Sequence, residues 1–288
     1  MDTYQIRSMH IGPQVTIETS LEHYAEHVQA RKCLVDAGNF ERRYELLLGN
    51  FLAFEDFCAT SQLRNEIAMD WGYERGDALI MEANRHVINI FTSGKSYVDQ
   101  VGRDFRFLCD EDGFDKHSAA LISASFDRSF DYRMTCQLRD RSQHRALPVD
   151  GFDAGAKSAG RESIRFYCSK AKIVADPGKF KRVVLEEAPD KIDLRSMIRG
   201  YMREVSGIHI GLRAKVRLDV DKSRALFKNS VQRYAAVQTD LSSVSKTGIG
   251  LASVHLRDNV VVDTVPLLLN WDDTRKKLAQ KNSRPINL

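Results

Sequence analysis

The sequence predicts a mainly α protein. An antiparallel up-and-down helical bundle is expected over residues 1–149, and a smaller α+β region over residues 150–288, with one or two β-hairpins and a long helix. Three observations carry that reading. No proline occurs between Pro13 and Pro148, and proline is severely disfavoured inside helices. Apolar residues within that span recur at spacings of three and four, the period of one buried helix face. Beyond Pro148 the composition turns to Gly, Ala and Ser, and short alternating stretches follow.

Residues 1–19 read as extended, with Val15 and Ile17 alternating. Ser20 is placed to N-cap a helix running to about Ala37, with Glu22 and His23 in its first turn. Asn39 is placed to cap a second helix, whose buried face would be Phe40, Tyr44, Leu47, Leu48, Phe51, Phe54 and Cys58. A third pattern runs from Leu79 through Val87, Ile90, Phe91, Tyr97 and Val101 to Leu108. A fourth starts after Asp115 and reads Ala119, Ile122, Phe126, Phe130, Met134, Leu138. Glycines 38, 72, 76 and 113 fall where breaks between helices are wanted.

In the second half, residues 150–162 read as a linker or loop. Ile164, Phe166 and Cys168 alternate with polar residues, Asp176-Pro177-Gly178 signals a turn, and Phe180–Leu185 follows, so a β-hairpin is expected there. Leu194, Ile198, Tyr201, Val205, Ile208, Leu212 and Val216 predict a long helix, extended by Phe227, Val231 and Tyr234. Residues 239–248 read as another loop. Val254-His255-Leu256 and Val260-Val261-Val262 predict a small second hairpin, and Asn270 a terminal helix ending near Lys281. There is no internal repeat. The second region would complete the bundle, cover a site on it, or bind a partner.

The formal net charge of +4 conceals an asymmetry. Residues 1–150 hold 17 Lys+Arg against 24 Asp+Glu, and residues 151–288 hold 26 against 15. A basic second half attracts a polyanion such as RNA; equally, the two halves face one another within or between subunits. Cys33, Cys58, Cys109, Cys136 and Cys168 are odd in number and form no CxxC pair, which fits reduced core thiols in a cytoplasm better than a disulfide or zinc framework. No apolar run approaches the roughly 18 residues of a membrane span, and the N-terminus shows no secretory pattern. No membrane partner is therefore expected. P-loop, GxGxxG, GxSxG, HExxH and DNA-binding signatures are absent, and no cofactor or metal is implied.

One segment concentrates chemistry: Leu138-Arg139-Asp140-Arg141-Ser142-Gln143-His144-Arg145-Ala146-Leu147-Pro148-Val149. RNA cleavage by transesterification needs a base for the ribose 2′-OH proton and a cation for the charge gathering on the phosphorane oxygens. Histidine suits the proton transfers and the arginine fork suits the phosphate. Asp140 is placed to orient either one, and Arg141 and Arg145 are placed to hold substrate. In an unbroken helix Arg139 and His144 lie about 140° apart around the axis. They converge only if the helix loosens near Ser142, or if a second copy of the motif faces the first across a two-fold axis.

The pattern resembles the R-x4–6-H motif of the HEPN superfamily (higher eukaryotes and prokaryotes nucleotide-binding). The form Leu-Arg-Asp-x2-Gln-His-x2-Leu-Pro-Val is similar to that of a group of bacterial HEPN-like proteins, as is the stretch Asn84–Ser93 followed by Tyr97-Val98-Asp99. The resemblance covers roughly residues 20–150. It implies a HEPN-like bundle that forms a homodimer with two motifs facing each other. In active members it implies metal-independent endoribonuclease chemistry that leaves a 2′,3′-cyclic phosphate, in a toxin–antitoxin or phage-defence setting, with a protein antitoxin or regulator as partner. Arg139 matches the motif arginine, His144 the motif histidine, and Asp140 the adjacent polar position. Members silenced by nucleotidylation carry a tyrosine two residues past the histidine; Ala146 stands there in this chain.

Rival readings exist. The superfamily also holds silent members that bind RNA, a nucleotide or a protein. A helix C-terminus alone accounts for cations at Arg141, His144 and Arg145. His23 and His27 have metal-ligand spacing, but no third ligand is placed and they read as a solvated helix face. Glu66, Asp70, Glu74 and Asp77 read as a solvated acidic cluster. Lys170, Lys172, Lys179, Lys181 and Arg182 would make the first hairpin basic, either to guide RNA or to protect a strand edge.

Overall fold

The apolar stripe of the first two predicted helices continues without a phase shift through Gly38 and Asn39. Burying it outweighs the roughly 1 kcal/mol that glycine costs in a helix interior. The computed structural model, which describes residues 1–10, 15–68, 72–103, 105, 113–154, 164–237 and 248–288, accordingly has one 48-residue helix, α1 (Leu21–Ala68), where two were expected. Helix α2 (Tyr73–Val101) follows the third pattern; Leu108 of that pattern lies outside the described residues. The fourth pattern divides into α3 (Phe114–Arg128) and α4 (Phe130–His144). Ser129 makes the division: its backbone is extended and its side chain accepts from the Tyr132 N–H, an N-cap that starts a new helix.

The chain is mainly helical with two small antiparallel sheets. Strands β1 (Asp2–Ser8) and β2 (Thr16–Thr19) bear out the extended N-terminus. After α4 come β3 (Gly151–Asp153) and β4 (Arg165–Ser169). Short helices α5 (Lys170–Ala175) and α6 (Arg182–Glu187), strand β5 (Lys191–Asp193) and the long helix α7 (Leu194–Val237) follow. The second predicted hairpin is β6 (Leu251–Arg257) and β7 (Val260–Pro266), with Asp258 and Asn259 at positive φ as its tight turn requires. The terminal helix α8 (Asn270–Lys281) lies as expected. Most of the predicted linker at 150–162 and loop at 239–248 lies outside the described residues.

The first predicted hairpin is not formed. Asp176-Pro177-Gly178 does turn, but between α5 and α6. Both edges of β4 are already paired, to β3 and to β5, so no strand position remains for residues 180–185. Asp150 anchors the start of α5, accepting from the Ser169 N–H at 2.8 Å and pairing with Lys172 at 2.9 Å.

The residues group into two compact units, and each draws on both halves of the chain. No unit boundary falls at residue 149. The first unit comprises residues 1–42, 103–115 and 212–283. Its sheet has the order β2-β1-β6-β7, and its core includes Ile6, Tyr24, Leu34, Phe227, Val254 and an edge-packed trio, Phe40, Phe105 and Phe114. Buried Glu41 is paired with Arg213, and buried Asp272 with Arg224 and Arg275. Removing one partner would strand a buried charge, the costly way to break such pairs. The second unit comprises residues 43–102, 116–211 and 284–288. It holds α2, α4 and α3 from Lys116 on, the sheet β3-β4-β5, and a core that includes Phe51, Ile90, Met134, Leu138, Ile198 and Val205. Buried His209 stacks on Tyr44 at 4.0 Å and bonds the Tyr97 hydroxyl at 2.8 Å. No helix among the described residues is long and apolar enough to cross a membrane.

Candidate functional site

The expected site residues lie on the last two turns of α4, in the second unit. Gln137, Leu138 and Met134 face the interior, so the next turn carries its polar residues outward. The helix continues through His144 and closes with the Arg145 N–H on the Arg141 carbonyl at 2.9 Å. Beyond it, Pro148 and the buried Val149 lie against α2 at Asn84. Asn84 fixes them there: its Oδ1 accepts from the Val149 N–H at 2.9 Å and its Nδ2 donates to the Val149 carbonyl at 3.3 Å. The Leu-Pro-Val tail of the motif is thus tied to the Asn84 helix by a buried side chain.

Because the helix does not loosen near Ser142, Arg139 and His144 stay on different sides of it. His144 is exposed and lines a cleft of about 660 Å³ with Gln137, Asp140, Arg145, Lys179 and Phe180. Arg139 lines a separate cavity of about 190 Å³ between helices. Asp140 borders both, and its carboxylate accepts from Arg139 Nη1 at 2.7 Å. The side chain of Arg139 is 22% exposed and that of Asp140 60%. A single copy of the chain therefore brings Asp140 to each of its neighbours but does not bring Arg139 to His144.

Arg141 and Arg145 are occupied. Arg141, only 10% exposed, donates to the carbonyl of Asp176 and, at 3.5 Å, to that of Lys172. The Lys172 carbonyl also accepts the Asp176 N–H that closes α5, and a guanidinium at this helix end favours the dipole. This contact ties the end of α5 to α4 and gives Arg141 a structural task. Arg145 pairs with the Asp176 carboxylate and lies against Gly178, whose φ of +53° and lack of a Cβ let the guanidinium approach. Gln137, which the sequence reading did not single out, fixes the cleft's other wall by accepting from the Lys181 N–H at 2.7 Å.

The other candidates resolve differently. His27 is not on a solvated face. It is fully buried, with Nδ1 3.1 Å from Ser253 Oγ and Nε2 2.8 Å from Ser230 Oγ. Burial pushes its pKa down to about 4, so it is neutral at pH 7. The signal was present, since His27 sits three residues after buried Tyr24. His23 bonds Glu26 at 2.9 Å. Glu66, Glu74 and Asp77 are exposed, Asp70 lies outside the described residues, and no metal-holding group of His, Cys, Asp or Glu occurs among the described residues. Of the basic set, Lys170 bonds the Ala188 carbonyl, Lys172 pairs with Asp150, Arg182 pairs with Glu186, and Lys181 lies over the Phe126 ring. Only Lys179 borders the cleft. Cys33, Cys58, Cys136 and Cys168 are free thiols, and burial raises the pKa of each; Cys109 lies outside the described residues.

Fold and cleft together define a mainly helical protein with a His/Arg/Asp-bearing helix end at an open polar cleft. No family model, curated protein or solved structure matches the chain.

Proposed function

We propose that the chain is a metal-independent endoribonuclease of HEPN type, with its site completed between two copies in a homodimer and its role that of a toxin or phage-defence effector. The observation that carries this reading is the placement of exposed His144 and Asp140 on a cleft large enough for a nucleotide, with Arg145 and Lys179 at its border. His144 of one copy takes the 2′-OH proton while the 2′ oxygen attacks phosphorus. The P–O5′ bond then breaks and the 5′ oxygen takes up a proton, leaving a 2′,3′-cyclic phosphate and a 5′-hydroxyl. The partner subunit's Arg139 offsets the charge on the phosphorane oxygens, and Asp140 orients it.

A second reading is favoured by one feature: Arg139 is engaged by Asp140, and Arg141 and Arg145 by the 172–176 segment. On that reading the cleft belongs to a catalytically silent HEPN-like module that binds RNA, a nucleotide or a protein partner. Labelled RNA incubated with the purified chain in EDTA separates the two. Cleavage that survives EDTA and disappears in both His144→Ala and Arg139→Ala supports the nuclease. Binding without cleavage, weakened in Lys179→Glu, supports the silent module. Cleavage untouched by either alanine would mean that the site lies elsewhere.

A further inference from the structure

The His144 cleft has two unlike walls. Gln137, Asp140, Arg141 and His144 line it at spacings of three and four, so they form one face of α4. The other wall is the turn at residues 177–180, and both walls belong to the second unit. The turn runs antiparallel to α4: Gly178 lies against Arg145, and the Lys181 N–H reaches back to Gln137 at 2.7 Å. Phe180 therefore sits toward the Gln137 end of the cleft and His144 at the other end.

Phe180 is held in place on both sides. Its own N–H donates to the Pro177 carbonyl at 2.9 Å, and the next N–H, that of Lys181, is bonded to Gln137. Other rings of this unit are used up in pairs: Phe57 stacks with Phe166 and His86, and Tyr132 packs with Phe126 and Tyr201. Phe180 stands apart from these pairs, partly exposed, on the wall of an open cleft of about 660 Å³. Most of the cleft's other lining is polar, so the ring is not there to fill a core.

Charge around the ring is in positive excess. Asp140 is matched by Arg139, and Asp176 by Arg145. Arg141 bonds neutral carbonyls, and exposed Lys179, the residue before Phe180, makes no ion pair among the described residues. A fixed aromatic face beside uncompensated cations is how proteins hold unpaired nucleotides: the cations take the phosphates and the ring takes a base. A base inside a duplex is already stacked and offers no free face.

We infer that Phe180 is a stacking platform for one unpaired base of the bound strand, with Lys179 on the adjoining phosphate. The inference rests on the reading of the cleft as an RNA site, and it holds for a catalytic or a silent one. Phe180 touches no reacting atom; it positions the strand so that the next phosphate lies toward His144.

The test is fluorescence anisotropy of a labelled 2′-O-methyl-RNA single strand, whose blocked 2′ oxygen cannot attack phosphorus, titrated with the full-length chain in EDTA. Phe180→Leu keeps an apolar side chain on the wall and removes the π face; it should weaken binding at least about fivefold. Phe180→Tyr should bind within about twofold of wild type. The strand annealed to its complement, or a strand of the same length with abasic sugars, should bind at least about tenfold more weakly. Phe180→Leu should leave the slope of log affinity against log salt unchanged, whereas Lys179→Ala should reduce it by roughly 0.7. Phe180→Trp should show quenching by the strand beyond that of the native Trp71 and Trp271 in wild type. A leucine variant that binds like wild type, equal binding of the duplex or the abasic strand, or no saturable binding by wild type would each overturn the platform. Cleavage of unmodified RNA in EDTA, lost in His144→Ala, would in those cases leave the nuclease reading standing. Phe180-dependent binding without cleavage would remove the nuclease reading and support the platform.

Discussion

His27 and His144 look alike in the sequence, each in a helical stretch four residues from another polar group, yet they occupy opposite environments. His27 is sealed in the first unit between two serine hydroxyls, both ring nitrogens satisfied. His144 is exposed at the end of α4, on the wall of an open cleft. The first is held neutral and can serve only the fold. The second is open to water and substrate, the condition a proton-transfer group requires. The contrast teaches that residue type and spacing nominate a histidine, and that burial and bond satisfaction decide its task.

The widest separation between the two should appear on substitution. His144→Ala should lower RNA cleavage by about 10²–10⁴-fold while leaving the melting temperature within experimental error, as for an exposed residue. His27→Ala should do the reverse at the level of the fold. It removes a buried ring and strands the Ser230 and Ser253 hydroxyls, costing about 2–4 kcal/mol in a denaturant titration. An equal loss of stability in both variants would break the comparison.

Acid should sharpen it. The folded pKa of His27, about 4, lies below its ordinary value of 6.5. The unfolded chain therefore takes up a proton first as pH falls. The stability that depends on neutral His27 is complete above pH 6.5 and lost progressively toward pH 4, by roughly 3 kcal/mol. Denaturant midpoints measured between pH 7 and 4 should fall less steeply in His27→Gln than in wild type. Parallel slopes would mean that the buried histidine is not the group responsible.

Two smaller effects probe the scaffold beneath α4. A Cβ at Gly94 would stand 2.5 Å from the Tyr201 hydroxyl, so Gly94→Ala should destabilise by about 1–3 kcal/mol in chemical unfolding. Asp176→Ala removes an exposed pair with Arg145 and should change stability by less than about 1 kcal/mol. It also frees Arg145 toward the cleft, so RNA affinity should rise modestly in a low-salt binding assay; unchanged or lower affinity would mean that Arg145 does not contact RNA.

Much of the architecture was legible because the helices repeat one signal many times over. Leu194 through Tyr234 kept its period across three glycines and became α7, and Asn270–Lys281 became α8. The failures were local choices decided by distant partners. Gly38-Asn39 looked like a break but lay on an unbroken apolar stripe, and a stripe outranks one glycine. Ile164–Cys168, the Asp176-Pro177-Gly178 turn and Phe180–Leu185 read as a hairpin, yet β3 and β5 already hold both edges of β4, and Arg141 ties down the end of α5. No local pattern announces either fact. The motif at 139–144 lies on a helix end, as its spacing before Pro148 predicts, and the intact helix keeps Arg139 and His144 apart. The small cavity behind Arg139 could not be read from the sequence, because it is assembled from four helices.

The central claim is that Arg139 and His144 act together only across two copies. It is tested most directly by mixing two inactive proteins, Arg139→Ala and His144→Ala, after subunit exchange. A mixed dimer would carry one intact site, with arginine from one copy and histidine from the other, and one site lacking both. Random exchange should recover roughly a quarter of wild-type cleavage of labelled RNA in EDTA. A mixture that stays as inactive as its two components, although exchange is demonstrated, would contradict the account.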